Sequence, residues 1–260
     1  MFLVKHLRIV NALCISEASK RKVSRKKLEG YYILSKEEIR RASNKFERKL
    51  LERGELAMDL NEYIPIDSEK GTGLILKHRD LYLFHVSGRK HLTEPGERFF
   101  AGVGGHCEDG ESFIEAVQRE AIEEIGRNIK IVHSAETYFV DSEGEIIDIL
   151  KLPLLAPKMI YKMIDYHRER PKDKTYFIAC FEAEIADDCP FDLDPEEASA
   201  LIAIPAELLI QSLEWKIGAK EIVDSGGIIM VGCLENDTLL FPLGTAVALA
   251  HFLKSNKADA

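Results

Sequence analysis

The stretch that decides the fold is "GHCEDGESFIEAVQREAIEEIG", residues 105–126. Phe113, Ile114, Val117, Ala121 and Ile125 recur near one side of a 3.6-residue period, which predicts an amphipathic helix. The helix begins near Ser112, because Gly110 is a poor interior residue and the turn "GGHCEDG" is rich in residues that tolerate positive φ. At about 100° per residue, Glu120 and Glu124 stand about 40° apart and Glu123 about 60° to the other side, so three carboxylates share a sector of roughly 100°. They crowd the last two turns, where the helix dipole favours cations and like charges one turn apart repel. Two readings are open on this pattern alone. The sector is a solvated face, since each exposed repulsion costs only a few tenths of a kcal/mol; or a divalent cation completes it, since hard carboxylate oxygens suit Mg²⁺.

The spacing around the helix separates these readings. Gly105 is followed after five residues by Glu111, and after seven more by Arg119-Glu120, Ala121, Glu123-Glu124 and Gly126. This order resembles the Nudix box, G-x5-E-x7-R-E-U-x-E-E-x-G-U with U a bulky aliphatic. All its charged and glycine positions are matched. Ala121 and Arg127 depart, standing where the pattern has U, and neither removes a chemical group. Ile129 is expected to fill the apolar place that Arg127 leaves.

The resemblance implies an α/β/α sandwich with a mixed sheet. It also implies hydrolysis of a nucleoside diphosphate linked to another moiety, with Mg²⁺ or Mn²⁺ as cofactor. By position in the box, Glu120 and Glu124 match the main metal ligands, Glu123 a further ligand or the base that activates water, and Arg119 with Glu111 a buried pair orienting those carboxylates. A backbone carbonyl at Gly104 or Gly105 completes the expected coordination. Some family members carry an additional acid on a later loop, and "DPEEAS" offers Glu196 and Glu197 there, Glu197 being preferred; the alternative is a solvated loop or a first helical turn. The chemistry has its own logic. A diphosphate resists attack because its negative oxygens repel a nucleophile; metal ions withdraw that charge, lower the pKa of bound water and align it. A carboxylate then takes the proton.

Outward from the box the rhythm is that of strands. "GLILKHRDLYLFHV" (73–86) reads as a hairpin about His78–Asp80, "RFFAGV" as a strand, and further strands are expected near "IKIVHSAETYFV", "EIIDILKL", "TYFIACFEAEI" and "ALIAI". A helix opens at Pro205. "GGIIMVGCLENDTLLFPL" looks like a hairpin and "GTAVALAHFLKSN" like a closing helix. Upstream, Ser35 and Glu38 form a capping box for a helix that Gly54 stops, with a strand expected at "LRIVNALCI" and a connector at "NEYIPIDSEKG". The expected division is a basic, mostly helical extension at 1–66, a Nudix-like catalytic domain at 67–215, and a hairpin and helix packed on it at 216–260.

Composition bounds the setting. The 260 residues are 46% hydrophobic and 30% charged, with a net charge of -9, ordinary for a soluble globular protein. Residues 1–50 hold 14 Lys+Arg against 5 Asp+Glu, so a basic arm precedes a body carrying -18. "KRKVSRKK" (20–27) reads first as a solvated or self-docking segment, and only second as a nucleic-acid contact. No apolar run reaches the roughly 20 residues of a membrane span, and the start lacks a signal-peptide layout. Five cysteines without a CxxC pair fit neither a disulfide framework nor a zinc cluster, so a reducing cytoplasm is expected.

The substrate is the open part of the reading. "YHRERPKDK" (166–174) reads first as a hairpin tip and second as a phosphate clamp through Arg168 and Arg170. No coenzyme A signature precedes the box, and no Pro-rich NADH-type signature follows it. Competing functions are a nucleotide-sensing regulatory protein that retains the fold, weighed against by the intact set of acids, and an isoprenyl diphosphate isomerase, whose paired cysteine and glutamate the context of Cys107 does not resemble. Family members often pair, which gives the expectation of a homodimer.

Overall fold

A sheet covered on both faces needs apolar side chains at successive positions, and "GLIL" (73–76) and "ALIAI" (200–204) supply them. The computed structural model describes residues 27–28, 31–32, 64–65, 68–91, 93–152, 155–165, 174–186, 189–235 and 237–258. The chain divides into two units, Met1–Leu56 and Ala57–Ala260. In the first, β1 (Lys27–Leu28) pairs antiparallel with β2 (Tyr31–Tyr32). The helix expected over 35–54 and the strand expected at "LRIVNALCI" lie outside the described residues, as does the 166–173 segment with Arg168 and Arg170.

The second unit is built on one mixed sheet. β3 (Glu69–His78) turns at Arg79–Asp80 into β4 (Leu81–Ser87), with Leu76 opposite Leu83, as the hairpin pattern requires. β5 (Glu97–Ala101) leads to helix α1 (Phe113–Ile125). Then come β6 (Ile129–Ile131), β7 (Thr137–Val140), β8 (Ile146–Leu150), β9 (Met159–Asp165), β10 (Lys174–Ile185) and β11 (Ala198–Ile204). The stretch "IKIVHSAETYFV", near which strands are expected, holds two, β6 on the far end of β10 and β7 between β8 and β9. Helix α2 (Ala206–Gln211) has Pro205 as its N-cap, and β12 (Ile217–Gly218), α3 (Ala219–Asp224), β13 (Ile228–Gly232), β14 (Leu239–Pro242) and α4 (Thr245–Ala258) complete the unit. The strand order is β12-β14-β5-β4-β3-β10-β9-β7-β8, with β11 on β4.

Alternation divides the core into two layers. Leu74, Leu76, Leu83, Leu201 and Phe181 pack with Val117, Ala121 and Ile125 of α1. Ile75, Phe84, Phe100, Ile202 and Ile204 pack on the other face with Leu208, Leu249 and Phe252 of α2 and α4. The result is the expected α/β/α sandwich. Among the described residues no helix is long and apolar enough to cross a membrane.

The hairpin expected in residues 226–243 does not form. β13 pairs antiparallel with β11, while β14 runs parallel to β5 and antiparallel to β12. The physical reason is the open backbone along β11 and β5: pairing there satisfies their edge N–H and C=O groups. Leu240 is thereby fully buried. Residues 217–242 therefore contribute strands to the same sheet as residues 69–204.

Phe100 is fully buried and meets Phe84 edge-on at 5.3 Å. Phe100→Ala is expected to lower unfolding stability by about 3–5 kcal/mol in urea titrations. Ile122→Ala, on the exposed side of α1, is expected to change it by less than about 0.5 kcal/mol.

Candidate active site

Helix α1 starts where the sequence places it. Ser112 is the N-cap, its Oγ accepting the Glu115 N–H at 3.2 Å while its own N–H donates to Glu115 Oε2 at 2.9 Å. At the other end Gly126 adopts φ 64° and donates its N–H to Ile122 O, and Arg127 donates to Ala121 O, a glycine-dependent stop. Ala121, small where the box has a bulky aliphatic, is fully buried against the sheet.

The turn before the helix is laced to β3. Thr72 N–H donates to Gly105 O at 2.8 Å, Leu74 N–H to Val103 O at 2.8 Å, and Cys107 N–H to Lys70 O at 3.0 Å. Glycine is required at position 104 and leaves room for a carboxylate at position 105. A Cβ on Gly104, at φ 150°, collides with the Thr72 carbonyl, and one on Gly105 strikes the Glu120 carboxylate. Glu120 thus lies directly against the Gly105 backbone. One lone pair of the Gly105 carbonyl is committed to Thr72.

Arg119 organises three of the acids. Its Nε and one terminal nitrogen hold both oxygens of Glu111 at 2.9 and 3.0 Å, and that terminal nitrogen also donates to His106 O at 3.0 Å. The other terminal nitrogen donates to Glu120 at 2.8 Å and Glu123 at 2.9 Å. These five bonds use the guanidinium's full complement of five N–H donors. The Arg119 pKa is raised, first by the bonds to Glu111. Glu111 is held below the ordinary carboxylate range, chiefly by Arg119. Glu120 moves the other way: burial raises its pKa, Arg119 opposes, and the charges of Glu124 and Glu123 add to the rise.

Glu124 is placed differently. Its side chain is 8% exposed, its Oε2 accepts the Gly104 N–H at 2.9 Å, and His85 Nδ1 of β4 lies 3.1 Å from the same oxygen. Burial works against charge on His85, but the fields of Glu124, Glu120 and Glu197 outweigh it and its pKa is raised. Glu123, by contrast, is 55% exposed at the rim. His85 is the residue that the sequence reading omitted. The signal was available, since alternation puts 81, 83 and 85 of "LYLFHVS" on one strand face, and an imidazole among leucines is out of place there.

Glu197 is held at the far end of β4. It accepts a hydrogen bond from Lys90, His91 Nε2 lies 3.8 Å from it, and the Gly88 N–H donates to its backbone carbonyl. His91 is shifted down, by burial first and then by Lys90. Glu197 thus meets Lys90 and His91, while its charge reaches His85. Glu196 pairs instead with Arg89 at the surface, 2.6 Å away.

Arg127 and Cys107 acquire physical accounts. The Arg127 guanidinium is buried, lying 4.9 Å over the ring of Phe191, and Ile129, partly buried, packs against the α1 layer. The Cys107 thiol is pushed up to about 11, by burial first and then by Glu111, which keeps it protonated and a poor nucleophile near neutral pH.

The NUDIX domain model matches residues 66–225, and no curated protein matches the chain. Among solved structures, a NUDIX hydrolase from Nitrosomonas europaea is 17% identical with a TM-score of 0.38, over 55% of this chain and 76% of that one. A MutT protein from Methanosarcina mazei Go1 is 11% identical with a TM-score of 0.42, over 74% and 98%. An ADP-ribose pyrophosphatase from Streptococcus suis 89-1591 is 13% identical with a TM-score of 0.34, over 74% and 94%. Such distant likenesses add no weight to the family match. With Glu120, Glu123 and Glu124 gathered on α1 and more than half its length matched, the chain belongs to the NUDIX domain family.

Proposed function

We propose that the chain hydrolyses the diphosphate linkage of a nucleoside diphosphate derivative, such as an ADP-sugar or a dinucleotide, with Mg²⁺ or Mn²⁺ held by Glu120 and Glu124. The observation that carries this reading is the uneven neutralisation of the cluster. Arg119 brings one positive charge to Glu111, Glu120 and Glu123, and Glu120 keeps a raised pKa in spite of it. The donor set is hard oxygen, which fits Mg²⁺ or Mn²⁺. Among the described residues no three Asp, Glu, His or Cys side chains close into a cage. A cation of this kind takes one or two carboxylates and fills its other positions with water and substrate phosphates. When bound, such a cation withdraws charge from the phosphate and acidifies its water.

The remaining work belongs to the chain. Glu123, at the solvent rim and one turn from Glu120, takes the proton of the attacking water. Glu111 braces Arg119, and Arg119 fixes the rotamers of Glu120 and Glu123, so the acids meet the substrate in one arrangement. Glu197 is a second candidate base, from the loop that enters β11. Arg168 and Arg170 are proposed to hold the substrate's phosphates.

Wild type with Mg²⁺ or Mn²⁺ is expected to release nucleotide products from at least one member of a panel of nucleoside diphosphate derivatives. Glu123→Gln is expected to lower kcat by roughly 10²–10⁴-fold, the usual contribution of a general base. No product from any substrate, or a Glu124→Gln variant as active as wild type, would sink the reading.

A stability measurement probes the Glu111–Arg119 pair separately. The folded-state pKa of Glu111 is depressed, so its contribution is complete above the unfolded value of about 4.5 and is lost as pH falls through the folded one. The gap in unfolding stability between wild type and Glu111→Gln is therefore expected to be constant near neutrality and to shrink below pH 4.5. A gap independent of pH would show that the pair does not act through charge.

A further inference from the structure

His85 is 3% exposed on a strand face whose neighbouring member, Leu83, is in the apolar core. A buried imidazole nitrogen must find a partner or carry the cost of its lost hydration. Its Nδ1 lies 3.1 Å from Glu124 Oε2, off the line of a hydrogen bond, and has no aligned partner among the described residues. The ring is flanked by Phe99, with centroids 6.4 Å apart, so it stands beside an aromatic ring with its Nδ1 close to one carboxylate oxygen. Gly104 N–H already donates to that oxygen from the opposite chain segment. Two nitrogens, one from the β5–α1 turn and one from β4, therefore converge on Oε2.

We infer that His85 is a positioning residue for Glu124: Nδ1–H of His85 and the Gly104 N–H together commit Oε2 to the protein and leave Oε1 as the oxygen offered to a divalent cation. The inference rests on the proposed metal role of Glu124. A carboxylate free to turn presents either oxygen or both; one held at Oε2 presents a single oxygen in a fixed direction, which lowers the ordering cost of binding. Catalytic-site hydrogen bonds are often poorly aligned before ligand binds, so a small rotation of the ring suffices to complete this one.

The test titrates the full-length, metal-free protein with Mn²⁺ and reads free Mn²⁺ by electron paramagnetic resonance. His85→Ala is expected to weaken Mn²⁺ binding roughly 10- to 100-fold, the usual effect of removing a group that orients a ligand. His85→Asn, whose side-chain nitrogen falls near the place of Nδ1, is expected to stay within a few-fold of wild type. His85→Gln, whose nitrogen falls near the place of Nε2, is expected to resemble His85→Ala. Unchanged binding in His85→Ala overturns the inference, and so does rescue by Gln instead of Asn. A ¹⁴N coupling of direct-ligand size in the echo-detected spectrum of wild type overturns it too, since His85 would then be a ligand. If His85→Ala fails to fold, as judged by its melting curve, the Asn and Gln pair decides. Wild type that binds no Mn²⁺ brings down the metal reading itself. Mn²⁺ binding that Glu124→Gln abolishes and the His85 variants leave intact brings down this inference alone.

Discussion

Four carboxylates and one guanidinium share the last turns and the approach of a single helix, and the way that guanidinium is spent sets the state of every acid around it. Arg119 has five N–H donors and uses five, on Glu111, His106 O, Glu120 and Glu123. Glu111 receives two of them in a fork and is stabilised as an anion. Glu120 receives one, lies half-buried, and has two other acids beside it, so its proton is held more tightly than usual. Glu124 receives none and is met by Gly104 and His85. The sequence pattern shows three equivalent carboxylates on a wheel; the structure divides them by partner into a rim acid, a shared acid and a buried acid.

That division depends on backbone as much as on charge. The β5–α1 turn approaches Glu120 so closely that a methyl group at Gly105 would push its carboxylate aside, and it is tied to β3 by hydrogen bonds on both sides of Gly104. The two glycines hence do separate things: Gly104 permits the approach to β3 that presents its N–H to Glu124, and Gly105 permits the approach of Glu120. The position of the buried carboxylate is fixed by a sheet and the position of its neighbour by an absent side chain. To these backbone devices Arg119 adds a charged hydrogen bond on Glu120, and His85 lies against Glu124.

Much of this was legible in the residues. The helix start at Ser112 and the hairpin through Arg79 follow from local rules of turn chemistry and period, and the Glu111–Arg119 pairing from the resemblance to the Nudix box. The strands after residue 226 escaped those rules, because β13 and β14 choose partners far away in sequence, β11 and β5, and no local pattern encodes an open edge. His85 escaped for a related reason. Its alternation was visible, but the identity of the group it faces depends on how α1 lies on the sheet, which is a property of packing.

Arg127 shows how a departure from a family pattern can be compensated by a distant residue. The box has an aliphatic side chain there, and a buried guanidinium in its place needs a new environment. Phe191 supplies one, its ring 4.9 Å below the guanidinium carbon. The same helix end takes the Asp192 N–H on Ile125 O at 3.1 Å, and Gly126 leaves no room for a Cβ against Asp192. From Asp192 the chain passes to a turn in which Asp194 O accepts the N–H groups of Glu197 and Ala198, and the Glu197 carbonyl in turn accepts Gly88 N–H at the end of β4. The loop that carries Glu196 and Glu197 is therefore pinned at one end to α1 and at the other to β4. Since both pins are made to elements that also carry the box acids and His85, the separation between the loop acid and the box is set by hydrogen-bonded backbone. A solvated loop would leave that separation to the long side chains of Lys90 and Glu197, which a surface ion pair holds only weakly.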